Sequence, residues 1–419
     1  MQVINKDLGS FKLHLIKTDL FKTITMKVMF HTPIVKENIT KRNILSDILL
    51  QSTKEYSSRR ELNIKSEDLY AADVYSTNNR IGNYITTSFI LQTLNDKYTE
   101  KNNFSESVKF LHEIIFNPDF YDRKFREEKL ELVKNNAKMA LNSIKENSGN
   151  YALIRMNEEF DKNSPISYRM IGYLDDLEKI DVQNLYNYYE NMLEDDYVDI
   201  FVIGDISIKE LMPIIKDNFK FRKVKKYKAS YELEIHSLRK KYQVIKESTN
   251  NSQSKLVMAL PLKELSYFDK NYAMVIFNII LGGTADSKLF KEIRENNSLC
   301  YTIRSSYSRL DNLMTIYAGI DKKNYDESVD LIIKILNDMR RGNFTDSDIA
   351  IAKEFYNSST ESLYESPTRI INEILSEEIL GMEPLEKRKE EISKVTKKDI
   401  IRVCKKINID TIFFLEGGN

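Results

Sequence analysis

Apolar and polar residues alternate along residues 23–30, with Ile24, Met26, Val28 and Phe30 on one face, and this period of two predicts a half-buried strand. With the preceding run, residues 11–17, it reads as a hairpin. The period then changes: Ile44, Leu45, Ile48 and Leu49 form one stripe of a helix predicted over residues 40–51. Ser58-x-x-Glu61 is a capping-box signature for a second helix ending near Tyr70. Strands are predicted at 71–76 and 84–91, then helices from 105 to 192, interrupted at Pro118 and Pro165. A strand over 197–203 ends at Gly204, and a last helix reaches Phe219.

The order then begins again. The strand over 255–260, closed by Pro261, repeats the strand that ends at Pro33. The strand pair after Tyr301 repeats the pair after Tyr70, and the helix SESVKFLHEII from Ser105 returns as DESVDLIIKIL from Asp326. LEKIDVQNLYNYYENMLEDDYVDIFVIGD from Leu177 returns as EEISKVTKKDIIRVCKKINIDTIFFLEGG from Glu390. Four matched blocks in one order indicate a duplication, with surface insertions absorbing the drift in their spacing. The expected fold is α+β: two duplicated halves, each an antiparallel-rich sheet packed with helices. The halves are read as residues 1–218 and 239–419, joined by residues 219–238, a basic, Tyr-containing linker without Pro or Gly.

Composition narrows the function. The 419 residues carry 63 Lys+Arg and 63 Asp+Glu, and zero net charge argues against nucleic acid as the main partner. The basic run FRKVKKYK from Phe221 reads as a solvated linker. Cys300 and Cys404 suggest neither a metal knuckle nor a disulfide framework, as in a reducing compartment. No segment of 18 apolar residues and no signal-peptide pattern occurs, so the expectation is a cytoplasmic chain that does not enter membranes. The four histidines, His14, His31, His112 and His236, are too scattered to form a ligand pair on one helix or strand. There is no Gly-x-Ser-x-Gly elbow and no phosphate loop.

Residues 281–301 read LGGTADSKLFKEIRENNSLCY. Gly282 and Gly283 suggest a tight turn, and a helix from about Asp286 should bury Leu289, Phe290 and Ile293. Arg294 stands at the end of that helix, seven residues before Tyr301 at the start of a strand. Taken alone, this is equally an ordinary corner with a surface Arg and a packed Tyr. In context it resembles the pitrilysin/insulinase-like zinc peptidases, whose C-terminal halves carry a Gly-Gly turn, a Ser-x-Leu-Phe helix and an Arg-x6-Tyr substrate motif. The duplicated halves match that family from end to end, and residues 40–74, TKRNILSDILLQSTKEYSSRRELNIKSEDLYAADV, resemble a bacterial branch without the catalytic motif.

The resemblance locates the missing chemistry. Catalytic members carry His-x-x-Glu-His on the helix after the first strands. Its two His bind zinc and its Glu acts as general base, while a further Glu some 75 residues on is the third ligand. Here Asn43, Ser46 and Asp47 fall at the motif positions, and Lys134 or Asn135 at the third. No metal is expected in this chain, and zinc is expected in a partner. The resemblance implies the non-catalytic subunit of a heterodimeric zinc endopeptidase. Arg294 and Tyr301 would act on the substrate carbonyl, and Gly282 and Gly283 would shape the turn beside the peptide. The partner would be a His-x-x-Glu-His chain of similar length, and the peptide would lie as an added strand in a chamber between the two. A non-proteolytic scaffold or peptide-binding protein is the alternative, and a hydrolase using another metal a weaker third.

Overall fold

Among residues 1–222, 230–236 and 239–418, which the computed structural model describes, the strands build two large sheets. The first holds β1 (Gln2–Asp7), β2 (Lys12–Lys17), β3 (Thr23–Pro33), β4 (Asp73–Ile81) and β5 (Tyr84–Leu94). It also takes β8 (Tyr197–Gly204), which follows a small hairpin of β6 (Phe120–Tyr121) and β7 (Lys124–Phe125). Its order is β1-β2-β8-β3-β5-β4. The second holds β9 (Gln243–Ser248), β10 (Ser254–Pro261), β11 (Cys300–Ser308), β12 (Leu313–Ile320) and β13 (Thr411–Glu416), in the order β11-β12-β10-β13-β9. Read from β9, the second sheet matches β2-β8-β3-β5-β4 strand for strand. Each has one parallel pair, β2 with β8 and β9 with β13, and the other pairs are antiparallel. The duplication in sequence is a duplication in topology, with β1 added at one edge.

The expected hairpin of residues 11–17 and 23–30 does not form, because β8 lies between β2 and β3. The reason is the composition of β8. Apart from Tyr197 every residue in it is buried, so it needs a neighbour on each edge and cover on each face. Only a central position provides that.

Helices cover one face of the first sheet. They are α1 (Lys36–Leu49), α2 (Arg59–Asp68), α3 (Asn103–Phe116), α4 (Glu127–Asn142), α5 (Ser148–Phe160), α6 (Leu174–Glu178), α7 (Val182–Asp195) and α8 (Ile208–Asn218), of which α5 belongs elsewhere. The predicted stripe Ile44, Leu45, Ile48 and Leu49 packs in one core with Ile24, Met26, Val28 and Phe30. Ser58 caps α2 by accepting from the Glu61 amide at 3.3 Å. Glu61 turns its carboxylate to the Ser57 amide instead of Ser58, so only half of the capping box forms.

The second half contributes α9 (Met274–Asn278), extended by wide helical turns at Asp269–Ala273 and Ile279–Gly283, and another at Phe290–Asn296. Then come α10 (Tyr325–Arg341), α11 (Asp346–Glu361), α12 (Pro367–Glu378), α13 (Leu385–Ser393) and α14 (Lys397–Lys405). The compact units are not a single cut of the chain. One comprises Met1–Asn142, Arg169–Ser230 and Tyr364–Leu375, the other Ser143–Tyr168, Tyr231–Leu363 and Ser376–Asn419. The second unit shows why. Leu256, Met258 and Leu260 of β10 face its main core, while Val257 and Ala259 face the other way. There α5 covers them with Tyr151, Ala152, Met156 and Phe160. A strand apolar on both faces requires such a second layer. The basic run of residues 221–228 lies, from residue 223 on, outside the described residues.

On the face of the first sheet away from its helical core, His14, Asp199 and His31 meet across β2, β8 and β3. His14 Nε2 lies 2.9 Å from Asp199 Oδ1 and His31 Nε2 lies 2.7 Å from Asp199 Oδ2. His14 also meets Asn5 Oδ1 at 2.8 Å and stacks on Phe201. Burial alone would raise the Asp199 carboxyl, but hydrogen bonds from His14 and His31 outweigh it and hold the group down at about 2. A depressed carboxyl adds stability above its unfolded pKa and loses it as pH falls through the folded value. The stability advantage of wild type over Asp199→Asn should therefore shrink by about 2–3 kcal/mol between pH 5 and pH 2. Urea unfolding at both pH values measures it, and a constant difference would contradict an ionised Asp199.

Candidate functional site

The helix that bears the altered ligand positions is anchored from its buried side. Asn43 Nδ2 donates to the Met170 carbonyl at 2.7 Å, so its amide serves the chain that enters α6. Ser46 Oγ donates to the Asn43 carbonyl at 2.9 Å and accepts from Asn78 Nδ2 of β4 at 2.7 Å. Asp47 is exposed, and the protein around it pushes its carboxyl above the usual range. On α4, which packs on α1, Lys134 Nζ donates to the Ile180 carbonyl at 2.9 Å and Asn135 is exposed. Zinc needs three protein ligands of His, Cys or carboxylate type for catalysis. An amide and a hydroxyl already used in structural bonds, one carboxylate and a lysine do not fit it. Among the described residues, no group of three His, Cys, Asp or Glu is arranged to hold a metal.

One residue before Asn43, Arg42 is fully buried, which nothing in the local pattern signals. Its Nη2 pairs with Asp196 Oδ2 just before β8 and donates to the Phe30 carbonyl at 3.3 Å. Its Nε donates to Thr87 Oγ1 of β5 at 2.6 Å. Burial works against the guanidinium charge, but Asp196 outweighs it and raises the pKa further. An internal ion pair thus fixes α1 to the sheet.

Restoring the motif by Asn43→His, Ser46→Glu and Asp47→His should give no peptidase activity by this chain alone. Lys134 and Asn135 would still supply no third ligand. Robust cleavage of a fluorogenic peptide by the purified triple variant would contradict this reading of α4.

In the second unit, the end of the helix through α9 presses on β11. A Cβ on Gly282 would lie 2.6 Å from the Ser305 amide nitrogen and 2.7 Å from Ser305 Oγ. Ser305 in turn bonds Asn278 Oδ1 at 2.8 Å. With φ at −159°, Gly282 needs no glycine-only conformation. It is glycine because of the close approach to the strand, not because of the predicted tight turn. Gly283 is exposed, and a Cβ there would meet the Asn278 carbonyl oxygen at 3.2 Å.

The helical segment beyond buries Leu289 and Ile293 as predicted, whereas Phe290 is only half-buried. Arg294 covers part of the ring left open: its guanidinium stacks 4.7 Å over Phe290, one turn back. Arg294 is exposed and has no carboxylate partner among the described residues. Ser298, at φ 53°, turns the chain toward the strand in the left-handed region, uncommon outside glycine. Pairing with β12 then shifts register between Cys300 and Thr302, which makes Tyr301 the bulged residue of edge strand β11. Bulges re-aim side chains, and Tyr301 is 59% exposed, its hydroxyl only 3.4 Å from Asp321 Oδ1. Cys300 beside it is buried, and burial pushes its thiol up to about 11, so it is no nucleophile at neutral pH. Burial likewise lifts Cys404 to about 12. His112 stacks on Phe116, and the His236 amide bonds Asp161. No helix among the described residues is long and apolar enough to cross a membrane.

Residues 179–356 match the family described as the peptidase M16 inactive domain. Over 416 residues, 98% of this chain and 96% of the relative, the chain is 27% identical to the probable inactive metalloprotease YmfF of Bacillus subtilis. A crystal structure of a conserved protein from Enterococcus faecalis is 31% identical, with a TM-score of 0.90 over 99% of this chain and 98% of that one. A structure titled peptidase M16 inactive domain, from Pseudomonas fluorescens, shares the fold at 16% identity, with a TM-score of 0.80 over 100% of this chain and 99% of that one. These likenesses meet the duplicated topology and the altered ligand helix at one point: this chain belongs to the pitrilysin-like, M16 family of metallopeptidases, among the members that lack His-x-x-Glu-His.

Proposed function

We propose that this chain is the non-catalytic subunit of a heterodimeric zinc endopeptidase. Arg294 and Tyr301 serve as donors to the substrate carbonyl in an active site whose zinc belongs to a His-x-x-Glu-His partner. The observation that carries this reading is the corner itself: an exposed guanidinium with no carboxylate partner among the described residues on one side and a phenol turned outward by a bulge on the other. Peptide hydrolysis places negative charge on the carbonyl oxygen, and fixed donors facing it lower the barrier. Arg brings a permanent cation and Tyr a hydroxyl donor. Neither is of use without a metal-bound water, which the residues of α1 and α4 are unsuited to activate. The same corner supports peptide processing or turnover as the role of the pair.

The experiment is reconstitution. This chain and an M16 chain with an intact motif, taken from the neighbouring reading frame, are purified separately and mixed. The expected result is a 1:1 complex that cleaves an unstructured peptide while neither chain does so alone. Full activity of the zinc chain by itself, or no complex, would favour the scaffold reading, which the names of inactive relatives also suit.

A further inference from the structure

The chain leading into β9 borders a cleft of about 650 Å³ that has no part in the proposed carbonyl site. Its basic lining is Arg239, Lys240, Lys241 and Arg340, and among the described residues no carboxylate lines it. Arg239 is compensated: its Nη1 meets buried Asp410 Oδ1 at 2.5 Å. Arg340 is not. It donates to the carbonyls of Cys404 and Ile407 and to Asn337 Oδ1, none of them a formal charge. Lys240 and Lys241 are exposed and have no ion-pair partner among the described residues. Across a chain of zero net charge, this is a local concentration of uncompensated cations.

Solvated lysines on a flat surface would mean little. Here they stand over an apolar wall. Ile333 and Leu336, one turn apart on α10, and Ile409 before β13 line the same cleft. The Tyr242 ring, 45% exposed, flanks it. A volume of this size is that of small-molecule sites, which run about 300–1,000 Å³ and pair apolar walls with a few charged groups.

We propose that this cleft binds a small organic anion that joins an apolar body to a phosphate or carboxylate head. The head sits between Lys240 and Lys241 above Arg340, and the body lies against Ile333, Leu336 and Ile409. The full-length chain is titrated calorimetrically at low salt with phenyl phosphate, benzoate and inorganic phosphate. Phenyl phosphate should bind once per chain, more weakly as salt rises, and inorganic phosphate at least about tenfold more weakly for want of a ring to bury. Benzoate in the same site distinguishes a carboxylate ligand from a phosphate one by which head binds more tightly. Lys240→Gln with Lys241→Gln should weaken phenyl phosphate by about a hundredfold, roughly tenfold per charge-assisted contact. The melting temperature of the free chain should not change, because both side chains are exposed. No binding of phenyl phosphate or benzoate at about 10 mM, equal affinity for inorganic phosphate, or an unaffected double variant would each overturn the proposal. So would binding of a short acidic peptide where both small anions fail.

Discussion

Tyr301→Phe should lower turnover by the assembled heterodimer about 10²–10³-fold in kcat while leaving the heterodimer intact. The change deletes one hydroxyl and keeps the ring. The only partner of that hydroxyl among the described residues is Asp321 at 3.4 Å, a distance at the limit of a hydrogen bond. Its loss should therefore cost the free chain less than about 1 kcal/mol of stability. A donor aimed at a developing oxyanion behaves differently, since its removal is felt in the transition state. Arg294→Ala should lower kcat as well, and raise KM if the guanidinium also holds the ground-state carbonyl. Each variant is mixed with the zinc-bearing chain, co-elution is confirmed, and cleavage of a fluorogenic peptide is timed. Wild-type turnover by the Tyr301→Phe complex would show that the spacing of Arg294 and Tyr301 has no catalytic meaning.

The largest effect on stability is expected at Asp196. Asp196→Ala leaves the Arg42 guanidinium buried at 1% exposure without its carboxylate. Thr87, the Tyr188 hydroxyl and the Phe30 carbonyl remain as partners but carry no charge. Breaking a buried pair from one side costs about 3–5 kcal/mol, because the other charge stays desolvated. Replacing both members by apolar residues of similar size, Arg42→Met with Asp196→Leu, should recover most of that loss. Urea unfolding of the two variants checks both statements. A loss below about 1 kcal/mol for Asp196→Ala would mean that water reaches the guanidinium.

Some of the candidate site could be read directly. The heptad-like spacing of Arg294 and Tyr301 and the side chains at 43, 46 and 47 are local facts, and the structure places each on the element that its local pattern predicts. What could not be read was why Gly282 is glycine. A Gly-Gly pair suggests a turn through conformational freedom, but here the decisive contact is with Ser305, on a different element. The bulge at Tyr301 was equally hidden, since a bulge exists only relative to a partner strand. Arg42 reads as a polar residue of an amphipathic helix, and its partner lies 154 residues away. His14 and His31 look like isolated histidines until β8 brings Asp199 between them.

The sequence by itself determined the type and order of most elements, the duplication, and the substitution of the zinc ligands, but its patterns announced neither β1, nor the β6–β7 hairpin, nor β9. What it did determine rests on periodicity, caps or residue identity, which act within a turn or two of the chain. Only the tertiary structure decided that β8 separates β2 from β3, that α5 joins the second sheet, and that Arg42 and Asp199 lie in buried ionic networks. Those outcomes depend on which apolar faces and charges find one another between distant parts of the chain, 154 residues apart for Arg42 and Asp196, and burial is a property of the whole arrangement, set by no local window.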